Sequence, residues 1–210
     1  PPPFPPGSDN DEPMSNDAVF SNDAMDVNAR REAVTVQEFT SGRRANVLII
    51  GGGIGGLAAA TALTQKGLTV RLYERQQEFG EVGAGMQIAS NCTRILDDLG
   101  LLDEAKRLGV LPDRMVMRDA VDSRPLLELD LHRVEERYGS PYMVIHRSDL
   151  HGIFLRAAQR QGVELHGGKK CVSYENVPGG ARVTFADGST DEADVVIAAD
   201  GIHSVARRSI

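Results

Sequence analysis

The stretch that decides the fold is residues 46–75, NVLIIGGGIGGLAAATALTQKGLTVRLYER. It opens with an uncharged aliphatic run, residues 47–50, which is typical of a strand buried on both faces. The run leads into a turn with the spacing G-x-G-x-x-G, formed by Gly51, Gly53, Ile54, Gly55 and Gly56. Glycines at this spacing permit a sharp turn, a close approach of the backbone to a pyrophosphate, and tight packing of the following helix. The helix N-terminus then favours an anion.

The second half of the stretch predicts a helix ended by Gly67, a strand over residues 69–73, and then Glu74. This acid stands 23 positions after Gly51. A carboxylate at that spacing accepts the ribose hydroxyls of an adenosine and repels a 2′-phosphate, which favours FAD or NAD over NADP. The helical face expected to pack on the sheet is formed by Ile54, Leu57, Ala58, Thr61 and Gln65.

The uncharged run over residues 47–65 also fits a membrane helix with G-x-x-x-G pairs. Five of its positions are glycines clustered in one turn, and its length is near the lower limit of the ~20 apolar residues that a span needs. A lone G-x-G-x-x-G is a weak signal, but here a strand precedes it and a helix and an acid follow it. The whole pattern favours a nucleotide-binding βαβ unit and no membrane span.

Composition and charge indicate a globular protein with an acidic end. The 210 residues are 41% hydrophobic, which is enough for a core, and carry a net charge of −7. Residues 1–29 hold six acids and no base, so the remainder carries 23 minus 24, or −1. This balance predicts no nucleic-acid partner.

Residues 1–43 are rich in Pro, Asn, Asp and Ser and poor in apolar side chains. Such a composition cannot offset the entropy of ordering the chain, so we expect a disordered acidic tail. The tail lacks the apolar core of a secretory signal and the Arg-rich character of a transit peptide. The folded domain is therefore predicted over residues 44–210.

Cys92 and Cys171 stand 79 positions apart without a C-x-x-C motif. We expect neither a disulfide framework nor a metal site, but two buried thiols in a reducing, cytoplasmic compartment. The histidines also lack metal-ligand spacing: His132, His146, His151, His166 and His203.

Beyond Arg75 the pattern continues as short elements. The glycine-spaced segment over residues 80–88, with Gly83 and Gln87, fits either a backbone lying against a flat ligand or an ordinary connection. The later predictions are helices over 91–99 and 101–108, a hairpin of 114–118 with 125–131, a strand over 163–165, and antiparallel strands over 171–175, 181–185 and near Thr190.

Two charged residues stand where predicted strands end. Arg147 lies at a strand-to-helix junction, where it can reach a pyrophosphate or form a structural ion pair, and Ser148 or Asp149 is expected to cap the helix. Asp200 follows an apolar strand, residues 194–199, which we expect to be central. It can bind a ligand or cap a helix that begins at Ser204.

Taken together, five motifs resemble the class A FAD-dependent aromatic hydroxylases, especially the salicylate hydroxylase-like group with the p-hydroxybenzoate hydroxylase fold. The motifs are GGGIGG (51–56), YER (73–75), GAGMQI (83–88), HRSDL (146–150) and ADGIHS (199–204). The resemblance implies a Rossmann-like α/β FAD-binding domain of glutathione-reductase type, with a parallel sheet and an antiparallel β-meander. It also implies that residues 112–140 begin the sheet of a substrate domain.

The resemblance implies a cofactor site but no catalytic side chain. The implied FAD contacts are Gly51, Gly53, Ile54, Gly55, Gly56, Glu74, Arg75, Gly83, Gln87, Arg147 and Asp200. In the family NAD(P)H reduces FAD, and O2 then supplies the hydroxyl group that is added to an aromatic substrate.

The family's later Gly-Asp motif and most of its substrate-binding sheet are not found in these 210 residues. We therefore expect the N-terminal part of a longer monooxygenase, inactive alone. Two alternatives are a non-catalytic nucleotide-binding module and an NAD-dependent dehydrogenase built on the same βαβ unit.

Overall fold

The computed structural model describes residues 45–80 and 83–208, and the predicted tail, residues 1–43, lies outside that part. In chain order its strands are β1 (Asn46–Ile50), β2 (Thr69–Tyr73), β3 (Gly85–Ile88), β4 (Arg114–Arg118), β5 (Pro125–Asp130), β6 (Met143–His146), β7 (Glu164–His166), β8 (Cys171–Val177), β9 (Gly180–Phe185), β10 (Thr190–Ala193) and β11 (Val195–Ala198). Its helices are α1 (Ile54–Gln65), α2 (Ser90–Asp98), α3 (Leu102–Leu108), α4 (Val134–Tyr138) and α5 (Arg147–Arg160), with a short 3-10 helix at Ala206–Arg208.

The centre of the domain is a parallel sheet with the strand order β11-β1-β2-β7. The strand β1 pairs in parallel with β2 on one side and with β11 on the other. The chain therefore continues from β1 to the strand on one side and later adds β11 on the other side. Four of the five β1 residues are buried, as expected for a strand covered on both faces. The predicted βαβ unit is confirmed, but β11 lies at the edge of the described sheet and is not central.

The helix α1 packs on this sheet through a face that combines small residues with one leucine. Its buried residues are Gly56, Leu57, Ala60 and Thr61, whereas Gln65 is exposed. The predicted face was therefore partly wrong. Gln65 does not belong to the packed face, whereas Gly56 lets the helix lie close to the sheet, as expected of the third glycine.

A three-stranded antiparallel sheet, β10-β9-β8, confirms the predicted meander. It builds a second core that includes Cys171, Val183 and Phe185 against Leu48 and Ile50 of β1. The prediction of two buried thiols was half right, because Cys171 is buried but Cys92 is exposed on α2.

On the other face of the sheet, α5 packs against α1 and buries Leu150, Ile153 and Phe154. The helix begins at Arg147, and its N-cap position is His146, two or three residues before the predicted cap and without a side-chain capping bond. The expected cap by Ser148 or Asp149 was wrong, because the helix continues directly from β6 and Ser148 instead contacts His146.

The predicted hairpin of β4 and β5 is confirmed, and all six residues of β5 are exposed. The final predicted helix is wrong among the described residues. Instead of a helix from Ser204, the chain makes a turn and one short 3-10 helix at Ala206–Arg208. Among the described helices, none combines the length and apolar character that a bilayer crossing requires.

Candidate functional site

The carboxyl ends of β1, β2 and β11 open onto a cleft of about 1030 Å³. The cleft lies where the sheet order reverses around β1, which is the usual position of ligand sites in open α/β sheets. Its volume is at the upper end of the range of small-molecule sites. Seven of the predicted contact residues line it: Gly51, Gly53, Glu74, Arg75, Gly83, Arg147 and Asp200.

Two positions of the glycine-rich turn, Gly51 and Gly56, leave room only for glycine. Gly51 has a φ of +112° and its N–H donates to the carbonyl of Tyr73 over 2.8 Å. A Cβ on Gly51 would collide with the carbonyl of Ala199, and one on Gly56 with the carbonyl of Gly51. The turn therefore lies directly against the ends of β2 and β11, and α1 starts at the floor of the cleft.

The residue that precedes α1, Gly53, lines the cleft, and the backbone N–H groups of the first helical turn have no side-chain cap. Gly53 precedes the helix with an extended backbone, no side-chain cap and no acidic residue in the first turn. These free N–H groups and the positive end of the helix dipole suit a phosphate. The turn thus has the shape and the polarity that a pyrophosphate requires.

Glu74 is anchored at both carboxylate oxygens. Oε2 accepts the N–H of Gly52 over 2.7 Å, and Oε1 accepts the N–H of Gln76 over 2.9 Å. Its own carbonyl accepts the N–H of Lys169 over 2.8 Å, which ties it to the chain after β7. A carboxylate has about four lone-pair sites, so these two bonds leave acceptors for ribose hydroxyls.

Arg147 and Gly83 contact each other in the lining of the cleft. The N–H of Arg147 donates to the carbonyl of Ala84 over 3.1 Å, and a Cβ on Gly83 would press into the aliphatic part of the Arg147 side chain. The glycine-spaced segment therefore packs on the arginine, with Gly83, Ala84 and Arg147 all lining the cleft.

The carboxylate of Asp200 follows β11, where it accepts hydrogen bonds and borders the cleft. Oδ2 accepts the N–H of Val205 over 2.8 Å and the hydroxyl of Tyr174 over 3.3 Å, so the carboxylate holds the turn after β11. It also lines the cleft. Burial acts to raise the pKa of Asp200, but hydrogen bonds from Ser204 and the backbone outweigh it, and the pKa lies below its usual value.

A family model described as FAD binding domain matches residues 44–210. Over 167 residues the chain is 38% identical to 3-hydroxybenzoate 6-hydroxylase 1 of Aquipseudomonas alcaligenes, and over 169 residues 39% identical to 3-amino-4-hydroxybenzoate 2-monooxygenase of Streptomyces cremeus. These matches cover 79% and 80% of this chain. The chain belongs to the class A FAD-dependent aromatic hydroxylases.

Solved structures also match the chain. The chain resembles Klebsiella pneumoniae HpxO complexed with FAD and uric acid, with a TM-score of 0.71 and 31% identity, over 79% of this chain and 41% of that one. The fold of a Rossmann-like FAD-binding domain is confirmed. The chain spans about 42% of the length of the two curated relatives.

Four predicted contacts of this hydroxylase-family chain do not line the cleft. Gly56 is buried under the turn, Ile54 packs against the core, and Gly55 is exposed with open space around it. Gln87 is exposed on β3, where it pairs with Val144 of β6. Their role as cofactor contacts stays a prediction.

Sequence reasoning missed several lining residues that follow β7 and β11. Lys169, Lys170, Cys171 and His203 all border the cleft. Because β7 is parallel to β2, the residues after it must lie beside Glu74, so the strand pattern contained a signal for Lys169. Burial raises the pKa of the Cys171 thiol, which keeps it neutral.

The cleft is more basic than acidic. Four cationic side chains line it, namely Arg75, Arg147, Lys169 and Lys170, against two carboxylates, Glu74 and Asp200. This excess suits a pyrophosphate better than a neutral ligand. Within residues 45–80 and 83–208 no cluster of His, Cys, Asp or Glu is suited to a metal ion.

Proposed function

We propose that this chain holds FAD in the cleft and that the protein is an NAD(P)H-using monooxygenase that hydroxylates an aromatic or similar small organic substrate. One observation carries the proposal: Gly53, which precedes the uncapped N-terminus of α1, borders the same cleft as Glu74 and Arg147. Membership of the FAD-dependent hydroxylase family supports it.

Each wall of the cleft suits one part of FAD. The turn at Gly51 and Gly53 would take the pyrophosphate, since its N–H groups are uncapped and its glycines leave no side chain in the way. The anchored carboxylate of Glu74 would accept the ribose hydroxyls. Arg147 would add a guanidinium, which binds phosphate oxygens in a fork geometry.

When bound, FAD would supply the electron transfer and the activation of oxygen. The described residues would bind the cofactor, orient it and hold its charge, and we assign none of them a proton transfer. NAD(P)H and O2 are proposed as co-substrates, and the cytoplasm as the compartment. The relatives named for 3-hydroxybenzoate and 3-amino-4-hydroxybenzoate support a hydroxylated aromatic acid as the substrate class.

Titration of the purified chain with FAD, FMN and NAD, followed by flavin fluorescence and calorimetry, tests the proposal. We expect FAD to bind and FMN to bind far more weakly, because FMN lacks the adenosine ribose and the pyrophosphate that the cleft recognises. Binding of NAD in preference to FAD would instead support the dehydrogenase, and binding of neither would refute the cofactor assignment.

A further inference from the structure

His151 is a buried polar side chain outside the lining of the cleft. It lies on α5, is 3% exposed, and places Nε2 2.8 Å from the carbonyl oxygen of Gly52. A carbonyl oxygen can only accept a hydrogen bond, so Nε2 carries the proton. A residue from the helix behind the sheet therefore reaches the glycine-rich turn.

The Gly52 carbonyl and the Gly53 N–H belong to one peptide group. The group is planar and trans, so these two bonds point in opposite directions. His151 draws the carbonyl toward the buried interior, and Gly53 lines the cleft. The hydrogen bond from His151 thus turns the Gly53 N–H toward the open space in front of α1.

The other polar atom of Gly52 is also held. Its N–H donates to Glu74 Oε2 over 2.7 Å, while its carbonyl accepts from His151. Glycine has wide backbone freedom, so a peptide between two glycines has little intrinsic preference for one orientation. Two side chains supply that preference instead: Glu74, which follows β2, and His151, which lies on α5.

We propose that His151 is a positioning residue for the pyrophosphate site: it fixes the Gly52–Gly53 peptide so that the Gly53 N–H is presented to a phosphate oxygen. The inference rests on the proposed FAD function and deepens it. A histidine that only fills the core would stabilise the fold without selecting the ligand.

The test compares two variants. His151→Leu keeps an apolar side chain without a donor, whereas His151→Gln keeps an amide N–H close to the position of Nε2. We expect His151→Leu to weaken binding of FAD and of ADP roughly 5- to 50-fold, and His151→Gln to stay within about threefold of the unaltered chain. Adenosine, which lacks phosphate, should bind all three proteins alike.

A measurement on the unliganded chain separates this inference from the proposed function. Ring-nitrogen NMR of the unaltered protein should show the proton on Nε2 of His151, with a coupling across the hydrogen bond to the Gly52 carbonyl. If the unaltered chain binds no FAD, the proposed function fails, and the NMR result still decides whether His151 holds the peptide. An unprotonated Nε2, equal FAD affinity in His151→Leu, or an equal loss in His151→Gln would overturn the inference.

Discussion

The hydroxyl of Tyr73 donates to Oδ2 of Asp191 over 2.7 Å, across 118 positions of sequence. The same carboxylate accepts two hydrogen bonds from Arg71, at 2.8 and 3.1 Å. Tyr73 is the last residue of β2 and Asp191 lies on β10, so the strand that delivers Glu74 to the cleft is tied to the antiparallel sheet. The position of the acid therefore depends in part on Asp191, which does not line the cleft.

Replacing Asp191 with Asn should destabilise the domain by about 1–3 kcal/mol, because a half-buried guanidinium and a tyrosine hydroxyl lose their shared anion. Chemical denaturation measures the change. Glu175→Gln is the matched control, since its pair with Arg182 lies on the same antiparallel sheet but is exposed. Solvent screening should make the effect of the control much smaller.

The effect of Asp191→Asn should depend on pH. Burial acts to raise the pKa of Asp191, but hydrogen bonds from Tyr73 and Arg71 outweigh it, and the pKa is lowered. A lowered pKa contributes stability that is present above the unfolded value of about 4 and is lost as the pH falls through the folded value. The difference between the two proteins should therefore shrink in acid, and a constant difference would contradict this account.

The contact between Tyr73 and Asp191 should also lose its contribution to stability at high pH. Burial and the bond to Asp191 raise the pKa of Tyr73 to about 12. The contribution of the neutral hydroxyl should be complete below the ordinary pKa of about 10 and be lost as the pH rises through the raised value. Absorbance titration of tyrosinate formation in the unaltered chain and in Tyr73→Phe measures the pKa of Tyr73.

Glu74 variants should separate its two roles. Glu74→Ala removes both the proposed ribose contact and the support of the Gly52 N–H, and should weaken FAD binding ~30- to 1,000-fold. Glu74→Gln keeps an oxygen that accepts from Gly52 and should lose only about tenfold. Calorimetric titration gives both affinities. Glu164→Gln, on the exposed surface of β7, is the control and should leave the FAD affinity unchanged. Unchanged FAD affinity in Glu74→Ala would contradict the ribose assignment.

Alanine substitutions at two adjacent glycines should change the stability of the domain in opposite directions. In Gly56→Ala the new Cβ overlaps the carbonyl of Gly51, so α1 must move away from the sheet, at a cost of about 1–3 kcal/mol. In Gly55→Ala the new Cβ meets open space, and alanine should stabilise the helix by ~0.5–1 kcal/mol. Thermal unfolding of both proteins tests the pair, and equal effects would show that close packing at Gly56 is not required.

Asp200 should hold the turn after β11 through its hydrogen bonds. Asp200→Ala removes the acceptor for the Val205 N–H, and amide hydrogen exchange of Val205 should accelerate about tenfold. Asp200→Asn retains a side-chain oxygen and should exchange at nearly the original rate. Slow exchange in Asp200→Ala would mean that other contacts hold this segment.

The sequence by itself determined the βαβ unit, the hairpin and the meander, because their signals are local: a buried apolar run, glycines at fixed spacing, and alternating strands joined by short turns. The same local rules placed Glu74 and Asp200 at strand ends. These local rules failed where contacts with neighbouring elements decide where a helix begins. One example is α5, which needs no side-chain cap because β6 leads straight into it.

Only the tertiary structure decided how those ends are held. The bond from His151 to Gly52 joins residues 99 positions apart, and the bond from Tyr73 to Asp191 joins residues 118 apart. No spacing rule predicts such pairs, because their geometry depends on how helices and sheets pack in three dimensions. Local sequence sets which backbone turns are possible, and long-range hydrogen bonds select the one orientation that faces the cleft.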